Sequence, residues 1–256
     1  MQQSNSQDLF IIDNFLDPFL FRQLAAEQQA LHESAQHRTW SLLSEGKTTI
    51  SDLDLNHYPA SQELIKQITS NQFLDVITAR LYLPSQVIPL AHCTERQGHS
   101  FFHRMVYPSF LSTHVDRSYL HSHSRTLVKV ANAIFMISPQ WHQDDGGHTF
   151  IGAYHLKRYI EYRPNRLIVF KHTSTTFHGV QPLKNHSPSR YTAYMDYYVP
   201  VSHIHELNKG RRRFWKHETI YLPELGSLRK FFSVKHYLGD LAKYCVAFFG
   251  INKLKP

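Results

Sequence analysis

Hydrophobic positions along the chain follow two different periods. Between residues 61 and 81, Leu64, Ile65, Ile68, Phe73, Ile77 and Leu81 recur near every third or fourth position, the spacing of one buried helix face. A similar amphipathic pattern runs from Phe19 to His32. It follows a short apolar strand, "LFIIDNF", and the overlapping "DNFLDP" supplies turn and helix-cap chemistry. Beyond Ser100 the pattern shortens to brief β-rich runs with turn residues between them: "FFHRMVY", "TLVKVANAIFMI", "HTFIGAYHL", "RLIVFKH", "TTFHGV" and "RYTAYMDYYV". Helices first and then six or more short strands predict an α+β fold whose strands close into a sandwich or barrel.

A chain of 256 residues with 42% hydrophobic and 13% aromatic content can bury one substantial core. No run approaches the roughly 20 consecutive apolar residues of a membrane span, and "MQQSNSQDLF" lacks the basic-then-apolar order of a signal peptide, so a cytoplasmic protein is expected. Cys93 and Cys245 have no metal-finger spacing and read as free thiols. The net charge of +8 is uneven: residues 1–205 hold 17 Lys and Arg against 16 Asp and Glu, whereas residues 206–256 hold 11 against 4. The shift begins at "HELNKGRRRFWKH" and sets a predicted boundary between a main body, residues 1–205, and a basic extension, residues 206–256. Within the extension Leu228, Phe231, Phe232, Leu238, Leu241, Cys245 and Phe248 recur near helical spacing, interrupted by Gly239. Such a helix packs on the barrel or on a second copy, giving a homodimer, or touches a membrane surface; nucleic acid is the least favoured partner.

Candidate chemistry begins with histidine. With 19 His and 11 Asp, about one His-x-Asp arises by chance, and the chain holds two. His142 and Asp144 lie in "SPQWHQDDGG", an acidic, glycine-ended stretch that reads as an exposed turn. His114 and Asp116 lie in "STHVDRS" at a strand end, where residues two apart project to the same side. His178, flanked by apolar strand residues in "TTFHGVQP", supplies a third donor. Two His and one carboxylate make the facial triad that holds Fe(II) and leaves the opposite positions open, unlike a closed structural zinc site. Twelve residues after His178, "SRYTAY" places Arg190 and Thr192 on one side of a strand. There a planar guanidinium fork and a hydroxyl suit a carboxylate.

With these residues in place the sequence resembles the Fe(II)- and 2-oxoglutarate-dependent oxygenases, in particular their prolyl-hydroxylase-like branch. The resemblance spans residues 8–200 and rests on "IIDNFLDP", "YPSFLSTHVD", "ANAIFMISPQWHQDDGG", "RLIVFKHTSTTFHGV" and "SRYTAYMDYY", in the family's order. It implies a double-stranded β-helix, or jelly-roll, core with N-terminal helices packed on one sheet, to which the apolar spacing after Leu228 adds a C-terminal helical extension. It implies His114, Asp116 and His178 as iron ligands and Arg190 with Thr192 as the 2-oxoglutarate clamp. Tyr107, in "MVYPS", stands where the family often has a tyrosine lining the co-substrate pocket. Fe(II), 2-oxoglutarate and O2 are the implied cofactors, with ascorbate as an optional addition. Two departures fall on the substrate side: the glycine common between that tyrosine and the His-x-Asp is absent, and "GGHTF" replaces the usual acidic continuation.

The implied reaction decarboxylates 2-oxoglutarate to succinate and CO2 and oxidises a C–H bond, with hydroxylation favoured over halogenation because Asp116 is present. Three readings stay open at this level. The first is an oxygenase acting on an amino acid, a peptidyl side chain or a similar small metabolite. The second is a nucleic-acid dealkylase of the same superfamily, suggested by the basic and aromatic "KGRRRFWKH". Such dealkylases typically carry a second arginine six positions after the clamp, where this chain has Asp196. The third is a non-catalytic jelly roll.

Overall fold

A computed structural model describes residues 8–34, 37–40, 47–50, 55–93, 101–122, 125–204 and 219–222. Its strands in chain order are β1 (Leu9–Asp13), β2 (His37–Trp40), β3 (Lys47–Ile50), β4 (Ile88–Pro89), β5 (Phe102–Met105), β6 (Leu111–Val115) and β7 (Tyr119–Ser122). They continue with β8 (Arg125–Met136), β9 (Thr149–Ile151), β10 (Arg158–Ile160), β11 (Arg166–Lys171), β12 (His178–Val180), β13 (Arg190–Pro200) and β14 (Ile220–Tyr221). The helices are α1 (Pro18–Ser34), α2 (Pro59–Thr69) and α3 (Asn71–Leu81).

Local chemistry explains where the helices start and stop. Asp17 caps α1, its Oδ1 accepting from the backbone N–H groups of Phe19 and Leu20 at 3.0 Å each. The apolar pattern over 61–81 predicts a continuous helix, and the structure corrects this. Ser70 adopts extended backbone, and its hydroxyl accepts from Phe73 N, so it ends α2 and caps α3. No side chain from its own turn caps α2. Instead Glu27 of α1 reaches across and accepts from the first amides, Ala60 N at 2.9 Å and Ser61 N at 2.8 Å.

The strands form two antiparallel sheets. The larger runs β1-β11-β8-β13-β5-β3-β2, with β4 also pairing β13 and β7 pairing β8; the smaller runs β10-β9-β12-β6-β14. This is the double-stranded β-helix that the resemblance implies. The helices cover the outer face of the larger sheet, where Leu24, Leu64, Ile68 and Ile77 bury themselves against Phe135, Met195 and Tyr197. The Tyr197 hydroxyl donates to the Ile68 carbonyl at 2.8 Å, tying β13 to α2. A second apolar cluster, including Met105, Met136, Tyr162, Ile168, Phe170 and Val180, draws on both sheets and fills the space between them.

Every strand expected from "LFIIDNF" to "RYTAYMDYYV" is present. Residues 219–222 of the basic extension add an unexpected one: β14 pairs with β6, opposite His114 and Val115, and Leu222 buries itself against Val115 and Phe177. The helix expected over 228–249, the segment "KGRRRFWKH" and Cys245 lie outside the described residues. Among the described residues no helix is long and apolar enough to cross a membrane.

Candidate active site

The smaller sheet brings the triad together by register. His178 on β12 lies directly opposite His114 on β6, with ring centroids 4.4 Å apart. Gly179 makes this approach feasible, since a Cβ there would lie 2.5 Å from the Leu111 carbonyl oxygen and 2.4 Å from the Phe150 ring. Asp116, two residues past His114, points its Oδ1 to 3.3 Å from His114 Nε2 and its Oδ2 to 3.5 Å from His178 Nε2. The three donor atoms lie within 4.8 Å of one another, close enough to share one ion.

The surroundings fit a metal. His114 Nδ1 lies 2.7 Å from the Ser112 carbonyl and His178 Nδ1 3.2 Å from the Thr176 carbonyl. Donating from Nδ1 fixes the tautomer in which Nε2 offers its lone pair to the common centre. Burial, reinforced by the neighbouring His178, holds the His114 pKa below its ordinary value, so the imidazole is neutral. Burial works against the Asp116 carboxylate, but Lys129 and the two histidines outweigh it and hold its pKa well below the usual range. The site therefore sets a neutral imidazole, His114, and the His178 ring beside one carboxylate. The other His-x-Asp behaves as expected: His142 and Asp144 are exposed at a short turn.

Arg190 stands on β13 of the larger sheet and reaches across to the smaller one. Its Nε donates to the Gly147 carbonyl at 2.8 Å, and its Nη2 donates to Thr149 Oγ1 at 3.2 Å. Tyr162 lays its ring 4.8 Å from the guanidinium carbon. Among the described residues no carboxylate pairs with Arg190, although it is only 3% exposed. Burial lowers its pKa to about 10, partly opposed by Tyr162. A buried cation held by neutral groups alone is a receptor for an anion.

Residues 100–198 match the family model described as the 2OG-Fe(II) oxygenase superfamily. This stretch is similar to the domain of that superfamily. Solved structures share its fold. A prolyl-4-hydroxylase from Pseudomonas putida aligns at 18% identity with a TM-score of 0.54, covering 75% of this chain and 92% of that one. A prolyl hydroxylase from Trichoplax adhaerens, in complex with a peptide fragment of hypoxia inducible factor, aligns at 17% identity with a TM-score of 0.53, covering 76% and 84%. HygX from Streptomyces hygroscopicus, with nickel and 2-oxoglutarate bound, aligns at 10% identity with a TM-score of 0.50, covering 76% and 83%. No curated protein matches the chain in sequence.

The structure treats the other expected residues unequally. Thr192 is buried on β13 two positions from Arg190, as strand alternation requires. Tyr107 is 53% exposed beyond the end of β5. The tyrosine beside the arginine is Tyr162 instead. Its hydroxyl is consumed by backbone, donating to the Tyr191 carbonyl at 2.6 Å and accepting from Ser138 N at 2.9 Å. "IEYRPN" carries no signal that would single this residue out. Gly147 was legible only as a turn glycine. It adopts φ +61°, and a Cβ there would come within 2.7 Å of the Trp141 ring and 3.1 Å of Arg190 Cδ, so its lack of a side chain seats the guanidinium.

Three further side chains of the inner surface were not legible in the sequence. Lys129 bonds the Asp116 carboxylate, Lys47 places its ammonium 5.8 Å from the Tyr194 ring centroid, and His103 stacks on Tyr194 at 4.4 Å.

Proposed function

We propose that this chain is an Fe(II)- and 2-oxoglutarate-dependent oxygenase that oxidises a C–H bond of an amino acid, a peptidyl side chain or a similar small metabolite, releasing succinate and CO2. One observation carries the reading: the same fold holds a two-histidine, one-carboxylate cluster and a buried guanidinium that has no carboxylate partner among the described residues. The peptide held by the Trichoplax enzyme supports a peptidyl substrate by analogy only.

Bound there, Fe(II) would supply the activation of O2, whose reduction draws two electrons from the oxidative decarboxylation of 2-oxoglutarate and two from the substrate C–H bond. The chain's own residues do the positioning. His114, Asp116 and His178 would hold the ion through two imidazole nitrogens and one carboxylate. Arg190, with Thr149 and Thr192 beside it, grips the remote carboxylate of 2-oxoglutarate so that its keto-acid end is presented to the triad. Phe170, in ring contact with His178, keeps the intervening space apolar and excludes water. All of these residues fall in the main body, residues 1–205, which we take as the catalytic unit, with residues 206–256 as an extension contributing β14.

The test is succinate formation by purified protein supplied with Fe(II), 2-oxoglutarate and air, followed by NMR alongside binding of both ligands. His114→Ala, Asp116→Ala and His178→Ala each abolish metal binding and turnover, while His142→Ala leaves both intact. Wild-type protein that neither binds 2-oxoglutarate nor forms succinate overturns the reading, as does loss in His142→Ala with retention in His114→Ala.

A further inference from the structure

Lys129 is a lysine where lysine is rarely found. It is 2% exposed, and its ammonium lies 2.6 Å from Asp116 Oδ2 and 2.7 Å from Asp196 Oδ1. Lysine is almost never fully buried unless paired, and this one is paired twice. Burial disfavours its charge, but the two carboxylates outweigh the loss and hold its pKa above the ordinary lysine value.

The backbone is shaped to put it there. Along β8 and β13 the register pairs Asn132 with Asp196 and Ala131 with Tyr197, then shifts so that Lys129 pairs with Tyr198. Val130 is the extra residue of this bulge. On a regular strand residues three apart face opposite sides. The bulge turns Lys129 onto the face that carries Asn132, and both reach Asp196, Asn132 Nδ2 donating to Asp196 Oδ1 at 2.9 Å. Tyr198 adds a hydroxyl donor to Asp196 Oδ2 at 3.3 Å. Asp196 is thus held from three sides, which makes it a fixed post for the lysine.

We propose that Lys129 is a positioning residue of the metal centre: its ammonium, bridged between Asp116 and Asp196, fixes which carboxylate oxygen of Asp116 faces the ion. The inference rests on the reading of the triad as a metal site. With Oδ2 engaged by the ammonium, Oδ1, beside His114 Nε2, is the oxygen presented to the ion, and the carboxylate binds through one atom. Without Lys129, two like charges confront each other in a buried space, and Asp116 is free to turn or to share a proton with Asp196.

The experiment is an anaerobic Co(II) titration that reads both affinity and the d–d absorption bands. It uses wild type, Lys129→Met, Lys129→Arg and the double variant Lys129→Met/Asp196→Asn. Removing a hydrogen-bond partner of a metal-ligating carboxylate typically weakens the metal by about 10- to 100-fold. Lys129→Met is expected to show that loss together with altered d–d bands, and Lys129→Arg to recover part of both. The double variant removes the buried pair as a unit, so it folds without an unpaired Asp196 and decides the matter if Lys129→Met does not fold. It too should bind Co(II) weakly with altered bands. Wild-type affinity and wild-type bands in the folded double variant overturn the proposal and leave Lys129 a structural ion pair. Failure of the wild type to bind Co(II) overturns the metal-centre reading instead.

Discussion

Replacing Arg190 by methionine separates co-substrate binding from folding. In the wild-type protein the guanidinium has surrendered water for one carbonyl, one hydroxyl and an aromatic face, and burial depresses its pKa to about 10. An incoming carboxylate therefore meets a cation that is already desolvated and oriented. Removing one partner of such a buried charge pair costs about 2 to 5 kcal/mol, a weakening of roughly thirty-fold to several thousand-fold in the dissociation constant for 2-oxoglutarate. The apo protein loses far less, because among the described residues the charge removed has no anionic partner to strand.

Thermal shift with Mn(II) shows both effects at once. At a 2-oxoglutarate concentration of about 100 times the wild-type dissociation constant, binding stabilises by about 2.7 kcal/mol; a hundred-fold weaker variant gains roughly 0.4 kcal/mol. For a domain of this size that is a shift of about 5 to 10 °C against about 1 °C. Arg190→Lys recovers only part, since lysine supplies charge without the planar fork. An anaerobic Fe(II) titration, following the charge-transfer absorption, reads the affinity directly. An unchanged 2-oxoglutarate shift in Arg190→Met would refute the assignment of this residue and remove the main support for the co-substrate.

Two further outcomes follow from the geometry. Burial pulls the Lys47 pKa down to about 8, opposed by Asp116 and Asp196, so protonation is disfavoured in the folded state and that cost is relieved as pH rises through this value. Competitive acylation read by mass spectrometry should therefore find Lys47 half-reactive near pH 8, and a profile centred near the ordinary lysine value of about 10.4 contradicts the burial. Leu222 is 4% exposed against Val115 and Phe177, and its amide donates to the Thr113 carbonyl at 2.8 Å. Leu222→Ala should cost about 2 kcal/mol by denaturant unfolding and release hydrogen-exchange protection at that amide. Unchanged protection means that β14 does not depend on this contact.

Local rules carried much of the fold. Apolar alternation located β6, β8, β11, β12 and β13, and the i, i+2 rule placed His114 with Asp116 and Arg190 with Thr192. What escaped depends on partners distant in sequence. The break at Ser70 was hidden because the apolar stripe continues through both helices, and only the cap bond shows the interruption. Pairing of His178 with His114 requires knowing that β12 lies beside β6, which no local pattern encodes. Lys129 lies in "TLVKVANA", where a lysine inside an apolar strand reads as an outward-facing residue; the bulge at Val130 reverses that. Tyr107 was placed by analogy of position, and 53% exposure sets it apart from the inner surface that Tyr162 occupies.

The charges of that inner surface explain why metal and co-substrate belong together. Lys129 and Arg190 both act on Lys47, and these three cations outnumber the two carboxylates, Asp116 and Asp196, that act on Lys47 and Lys129, so the surface is already positive before any ion arrives. A divalent cation added alone meets Lys129 beside its own carboxylate ligand, and in a low-dielectric gap that repulsion is not screened away. 2-Oxoglutarate resolves it by carrying two negative charges on a short chain, one for Arg190 and one for the ion. The loaded site then returns to the net charge of the empty one, with the charges redistributed along a line from the triad to β13. Each ligand therefore lowers the cost of binding the other, and by linkage the enhancement is the same in both directions. Mn(II) affinity measured with and without 2-oxoglutarate reports this coupling. Because half of the compensation runs through the guanidinium, the coupling should shrink in Arg190→Met even though that residue touches no ligand of the metal.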